Sequence, residues 1–220
     1  MTFEGFPEAA LDFYEGLEAD NSRTYWLAHK HVYEECVRAP MLALMADLEK
    51  EFGTGKLFRP NRDVRFAKDK SPYKTNCYAV LAGRGGHAGG YVGLSAAGLR
   101  VAGGYYRTES DQVERYRRAV DEDRTGKRLA RIVADLRGGG YDIDGHLLKV
   151  TPRGYPKDHP RADLLRHRSL FAHRGWKPEP WLHTPAALDR VRAAWLAFRP
   201  LTDWLARNVG GSDVEPRERR

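Results

Sequence analysis

The apolar residues of this chain fall into blocks of helical and of strand period, and that segregation limits the fold more than any other feature. Residues 7–19 place Leu11, Tyr14 and Leu17 on one helical face. Ser22 is a good cap for a second helix to about Arg38, with Trp26, Lys30, Tyr33 and Val37 along one stripe. Pro40 should end or kink it, and a third helix carries Leu42, Met45 and Leu48 to Gly53. The middle reads as short strands: Leu57–Arg59, Val64–Phe66, Tyr78–Leu81, Tyr91–Ser95 and Leu99–Tyr105, with a hairpin turn at Ala96, Ala97 and Gly98. Thr108 or Ser110 should cap a helix to about Val120, and another runs from about Gly126 to Leu136. Short strands follow at Tyr141–Ile143 and Leu147–Val150, with a short helix at Pro160–His167. Thr184 and Pro185 open a final helix bearing Leu188, Val191, Trp195 and Phe198, continued past Pro200 by Leu201, Trp204 and Leu205. Helices that flank a cluster of strands, rather than alternating with them, predict an α+β fold with mostly antiparallel strands. One domain over residues 1–209 is expected, followed by a disordered tail at 210–220.

A 220-residue chain of this kind can bury its own core without a staple. Its two cysteines, Cys36 and Cys77, fit neither a zinc pattern nor a disulfide framework. The acidic N-terminus lacks the basic and apolar regions of a signal peptide, and no run is apolar enough to span a bilayer. The expectation is a cytoplasmic protein without membrane partners.

The net charge of +7 is uneven. Residues 1–50 carry ten acids and four bases, whereas 59–74 carry six bases and two acids, and 153–177 seven bases and two acids. A focused positive potential draws anions, while a scattered one only keeps a protein soluble. Several apparent motifs carry no chemistry. The run Gly83–Ala88 imitates a dinucleotide fingerprint but lies between two strands, where no helix N-terminus awaits a pyrophosphate. Gly93, Leu94 and Ser95 precede a hairpin rather than a nucleophile elbow. No HExxH or Cys/His cluster exists, so neither a metal nor another cofactor is predicted.

The segment Arg62–Lys74 stands out. Were Arg62–Phe66 extended, Arg62 would share the inward face of Val64 and Phe66 and would need a carboxylate or a bound anion. Pro72 keeps Ser71 out of helical geometry and presents Tyr73 and Lys74 at the start of the next strand. Arg62, Arg65, Lys70 and Lys74 could hold an anion, with Tyr73 donating a hydrogen bond and Asp63 orienting an arginine. A solvated charged surface is the ordinary alternative.

The pattern Arg62-Asp63-x-Arg65-Phe66-x-x-Asp69-Lys70-x-Pro72-Tyr73-Lys74-Thr75 resembles the central signature of the family known as domain of unknown function 2461. Phe13, Asp20, Asn21, Trp26, Lys30, Tyr33 and Pro40 are similar to its opening motif. The stretches Gly90–Tyr105, Thr151–Tyr155 and Pro200–Leu205 are similar to its later ones. The insertion-like Gly83–Gly90 departs from the pattern. The resemblance implies an important central segment and carries no activity, ligand or catalytic residue.

Asn21, Trp26 and Lys30 could join the site, as could Arg153 and Arg166 from the second basic stretch. Against this, Trp26 suits a core position and Asn21 a helix cap. The leading expectation is a pocket for a small anionic ligand, phosphorylated or carboxylated, with enzymatic processing of it left open. A structural or protein-interaction module is the first alternative, and nucleic-acid binding through 59–74 and 153–177 the second.

Overall fold

The computed structural model describes residues 2–81 and 89–214. The run Gly83–Ala88 and tail residues 215–220 lie outside the described residues. The fold class is α+β. Six strands hydrogen-bond in the order β1-β2-β3-β4-β6-β5: β1 Gly55–Leu57, β2 Asn76–Leu81, β3 Gly90–Ser95, β4 Gly98–Tyr105, β5 Asp142–Asp144 and β6 Leu170–Trp176. The chain divides into two compact units, each assembled from three stretches.

The first unit comprises residues 1–81, 90–101 and 175–194. It begins with α1 (Ala9–Ala19) and α2 (Arg23–Val32), whose cap is Ser22, its hydroxyl accepting from the Tyr25 N–H at 3.1 Å. The expected break at Pro40 takes another form. A π-helical turn, Tyr33–Arg38, runs directly into α3 (Ala39–Phe52), and the Ala39 N–H bonds the Glu34 carbonyl five residues back. A proline ring clashes with the carbonyl four residues earlier, and the wider turn relieves that clash without ending the helix. α3 packs on β2. Its Met41, Leu44 and Leu48 are buried, as are Cys77, Ala79 and Leu81 of β2 and Val92 and Leu94 of β3. The β2–β3 register runs from Asn76 opposite Ser95 to Leu81 opposite Gly90, and β1 pairs Gly55 with Leu81.

The second unit comprises residues 82–89, 102–174 and 195–220. α4 (Ser110–Asp121) and α5 (Asp123–Gly138) pack on each other and bury Val113, Tyr116, Val120, Leu129, Ile132, Val133 and Leu136. α4 is capped by Glu109 and not by Thr108 or Ser110. Gln112 completes a reciprocal capping box with Glu109, while the Thr108 hydroxyl donates to the Arg168 carbonyl. The β6 strand was not predicted, and Leu147–Val150 forms no strand, only a bridge from Leu147 to His167. A short helix, α6 (Ala162–Leu165), precedes β6, and a final helix, α7 (Ala186–Asn208), continues through Pro200. Residues 210–214, expected to be disordered, are tied to α4. Arg115 donates to the carbonyls of Val209 and Gly211 and pairs with Asp213, and Asp111 accepts from the Ser212 hydroxyl and the Asp213 N–H.

Candidate functional site: two basic segments with different fates

The Arg62–Lys74 segment is a closed loop and not a strand. Its mouth is fixed by the Arg62 N–H to the Pro72 carbonyl (2.9 Å), the Lys74 N–H to the Pro60 carbonyl (2.8 Å) and a bridge between Asn61 and Tyr73. Phe66, expected to face inward with Val64, is 90% exposed. Arg62 is ion-paired with Asp69, whose carboxylate also takes the Ser71 N–H at 2.9 Å and the Ser71 hydroxyl at 2.6 Å. Arg65 forks onto Asp63 through Nε (2.9 Å) and Nη2 (2.7 Å). The Lys70 ammonium donates to the Val64 carbonyl, and that of Lys74 to the Arg59 carbonyl. Hydrogen bonds from the Arg65 side chain and then its N–H hold Asp63 down to about 2. The Ser71 hydroxyl, its N–H and Arg62 do the same for Asp69. Burial, with Arg59 adding, pulls the Lys74 ammonium below its ordinary value. Arg62 and Arg65 thus meet acids of the loop, and Lys70 and Lys74 meet its backbone carbonyls.

Asn21 and Trp26 do reach this segment, as its anchor. The Asn21 amide brackets the Tyr73 backbone, accepting from its N–H and donating to its carbonyl, both at 3.1 Å. The Trp26 ring stacks on the buried Tyr73 ring, centroids 4.4 Å apart with 12° between planes. Lys30, one helical turn on from the buried Trp26, is exposed.

The second basic stretch divides. Arg161, only 7% exposed, donates to the carbonyls of Val120 and Asp121 and pairs with Asp123 at 3.0 Å, placing its charge at the negative end of α4. A side chain on Gly126 would run into that guanidinium, its Cβ 2.6 Å from Arg161 Nε. Arg166 donates to the Leu148 carbonyl at 2.8 Å. Arg153, by contrast, lines a cleft of about 520 Å³ in the second unit, with Arg117, Arg168, Tyr155, Ser110, Val113, Glu114 and Leu148. Ser110, Val113, Glu114 and Arg117 share one face of α4 through their three- and four-residue spacing. Among the described residues, none of Arg117, Arg153 and Arg168 has a carboxylate within 4.0 Å. The Arg117 Nε is buried with no hydrogen-bond partner. Burial lowers its guanidinium pKa, and repulsion from Arg168 adds to that. The cleft's carboxylate, Glu114, pairs with Arg118 instead, at 3.9 Å.

Comparison with known families decides the relationship. The family described as "Conserved hypothetical protein (DUF2461)" matches residues 9–204. The chain belongs to this family. No curated protein and no solved structure matches it.

The DUF2461 match spans both the Arg62–Lys74 loop and the cleft, so family membership favours neither as a site. Within it, sequence reasoning singled out Arg153 but passed over Arg117, Tyr155 and Ser110. The signal for Arg117 was a base seven residues after Ser110 on the face that also carries Val113. Among the described residues, no three His, Cys, Asp or Glu side chains gather as a metal site, and no helix is long and apolar enough to cross a membrane.

Proposed function

We propose that this protein binds a small anionic ligand, phosphorylated or carboxylated, in the cleft between α4 and residues 148–168. The observation that carries the proposal is the contrast between two sets of cations. Arg62 and Arg65 are each paired with an acid of their own loop, while Arg117, Arg153 and Arg168 line one hollow and, among the described residues, none of them has a carboxylate within 4.0 Å. Guanidinium groups gathered without a paired carboxylate repel one another, and an anion in the cleft would supply the missing charge. The charge distribution agrees. Among the described residues the first unit carries 15 bases and 15 acids, a net of zero. The described part of the second unit carries 18 bases and 13 acids, a net of +5.

For the Arg62–Lys74 loop, the pairing of each arginine favours a second reading, a charged network that folds the loop and holds Tyr73 in place. Both readings are tested by melting the protein with inorganic phosphate and a panel of phosphorylated and carboxylated small molecules. A ligand that binds only the folded state raises Tm. The rise is expected to vanish in folded Arg117→Ala and Arg153→Ala variants and to survive in Arg62→Ala. No rise with any anion, or a rise that survives both cleft variants, overturns the cleft.

A further inference from the structure

The sheet of the first unit has two unlike faces. Cys77, Ala79, Leu81, Val92 and Leu94 form its buried side. The alternate positions carry a row of half-buried rings, Phe58 just after β1, Tyr78 on β2 and Tyr91 on β3. The Phe58 N–H bonds the Tyr78 carbonyl at 3.1 Å, continuing the β1–β2 pairing and bringing the rings side by side. Phe58 stacks on Tyr78 at 4.6 Å, and Tyr78 on Tyr91 at 5.6 Å. Tyr91 lies across Gly93, where an added Cβ would come within 2.4 Å of its hydroxyl, and the Asn76 amide donates to that hydroxyl at 3.4 Å. A glycine directly opposite Tyr78 thus makes room for the third ring.

Cations edge the row. Lys56 sits 5.5 Å from the Phe58 centroid, and Lys74 lies 5.0 Å from that of Tyr78 and 5.8 Å from that of Phe58. Residues 55–81 and 90–101 hold eight bases and two acids, and both acids, Asp63 and Asp69, are already paired inside the 62–74 loop. Among the described residues neither Lys56 nor Lys74 has a carboxylate within 4.0 Å.

We infer that this aromatic row is a binding surface for single-stranded nucleic acid. An unpaired strand supplies what both halves of the surface seek. The rings stack on one another, so a base would add to the row at its Phe58 end, at the β1 edge, while the phosphates present charge to Lys56 and Lys74. A duplex keeps its bases stacked inside and offers the rings nothing. A small anion would engage the lysines and leave the rings unused. The inference is independent of the arginine cleft and uses other residues than the paired arginines of the loop.

The test is fluorescence anisotropy of the full chain with labelled 15-residue oligothymidylate, oligouridylate and a duplex of equal length. Both single strands are expected to bind more tightly than the duplex, with affinity falling as salt rises from about 50 to 200 mM. Phe58→Ala should weaken binding roughly tenfold, as loss of one base–aromatic stack does, and Phe58→Tyr should restore it. Lys56→Glu, an exposed change on an edge strand, should weaken binding and flatten the salt slope, which keeps the test decisive if Phe58→Ala fails to fold. Equal affinity for duplex, no binding of either single strand, or loss in Arg153→Ala with Lys56→Glu unaffected would each overturn the inference. Retention of one strand type alone supports it and names DNA or RNA.

Discussion

The Trp26 indole lies nearly parallel to the Tyr73 ring, 4.4 Å away, so the second helix of the chain holds the closing end of the charged loop. Such a pair contributes about 0.5–1.5 kcal/mol beyond the area it buries. Trp26→Ala should destabilise the protein by about 3–5 kcal/mol, and denaturant unfolding measures this directly. Asn21→Ala should cost less and leave the Tyr73 N–H and carbonyl without their partner. A Trp26→Ala protein as stable as wild type would show that the loop is held elsewhere.

The two arginine sets should separate in calorimetry with whichever anion raises Tm. Arg117→Ala is expected to weaken binding by about 2–5 kcal/mol, the range for truncating one partner of a buried charged contact. Arg62→Ala should leave affinity unchanged while lowering Tm, because Asp69 loses its guanidinium. Reversal of these two results would return the ligand to the loop.

Acid should loosen the loop and the C-terminal tie together. Asp63 and Asp69 are held at about 2, and so is Asp111, chiefly by the Asp213 N–H and then the Ser212 hydroxyl. A carboxylate whose pKa is lower folded than unfolded favours folding once ionised. Its contribution is therefore complete above about pH 4 and fades as the pH falls toward about 2. Tm measured across that interval should fall more steeply in wild type than in a variant combining Asp63→Asn, Asp69→Asn and Asp111→Asn.

Cys77 should be silent to thiol reagents in the native protein. Burial pushes its thiol up to about 12, against the pull of a hydrogen bond with Tyr33. The Cys36 thiol is also raised, first by burial and then by Glu35. Disulfide-exchange reagents near neutral pH should label Cys77 only when denaturant unfolds the chain, and labelling at the same rate without denaturant would contradict the packing.

The helical half of the fold was legible because its buried residues recur at the helical period, as Leu11, Tyr14 and Leu17 do in α1 and Leu188, Val191, Trp195 and Phe198 in α7. β6 was not, because its two buried apolar residues, Leu170 and Ala172, sit among His173, Arg174 and the arginines before them, where composition reads as surface. Val64 and Phe66 misled for the opposite reason. Their side chains suit a strand, but Asp63 captures the Arg65 side chain and backbone N–H and bends the chain locally. For the candidate site, sequence proximity made Arg62 to Lys74 look like a cluster. The cluster that forms a cleft is assembled from Arg117, Arg153 and Arg168, which only folding brings together.

The π-helical turn at Tyr33–Arg38 carries a consequence for length variation. Each residue of a regular helix turns the chain by about 100°. A π-turn spreads five residues over nearly the sweep that four take in an α-helix, so deleting one residue from it would make the helix regular and leave the phase beyond it almost unchanged. Met41, Leu44 and Leu48 would still face β2, so this turn is where the helix can lose a residue without moving its core contacts.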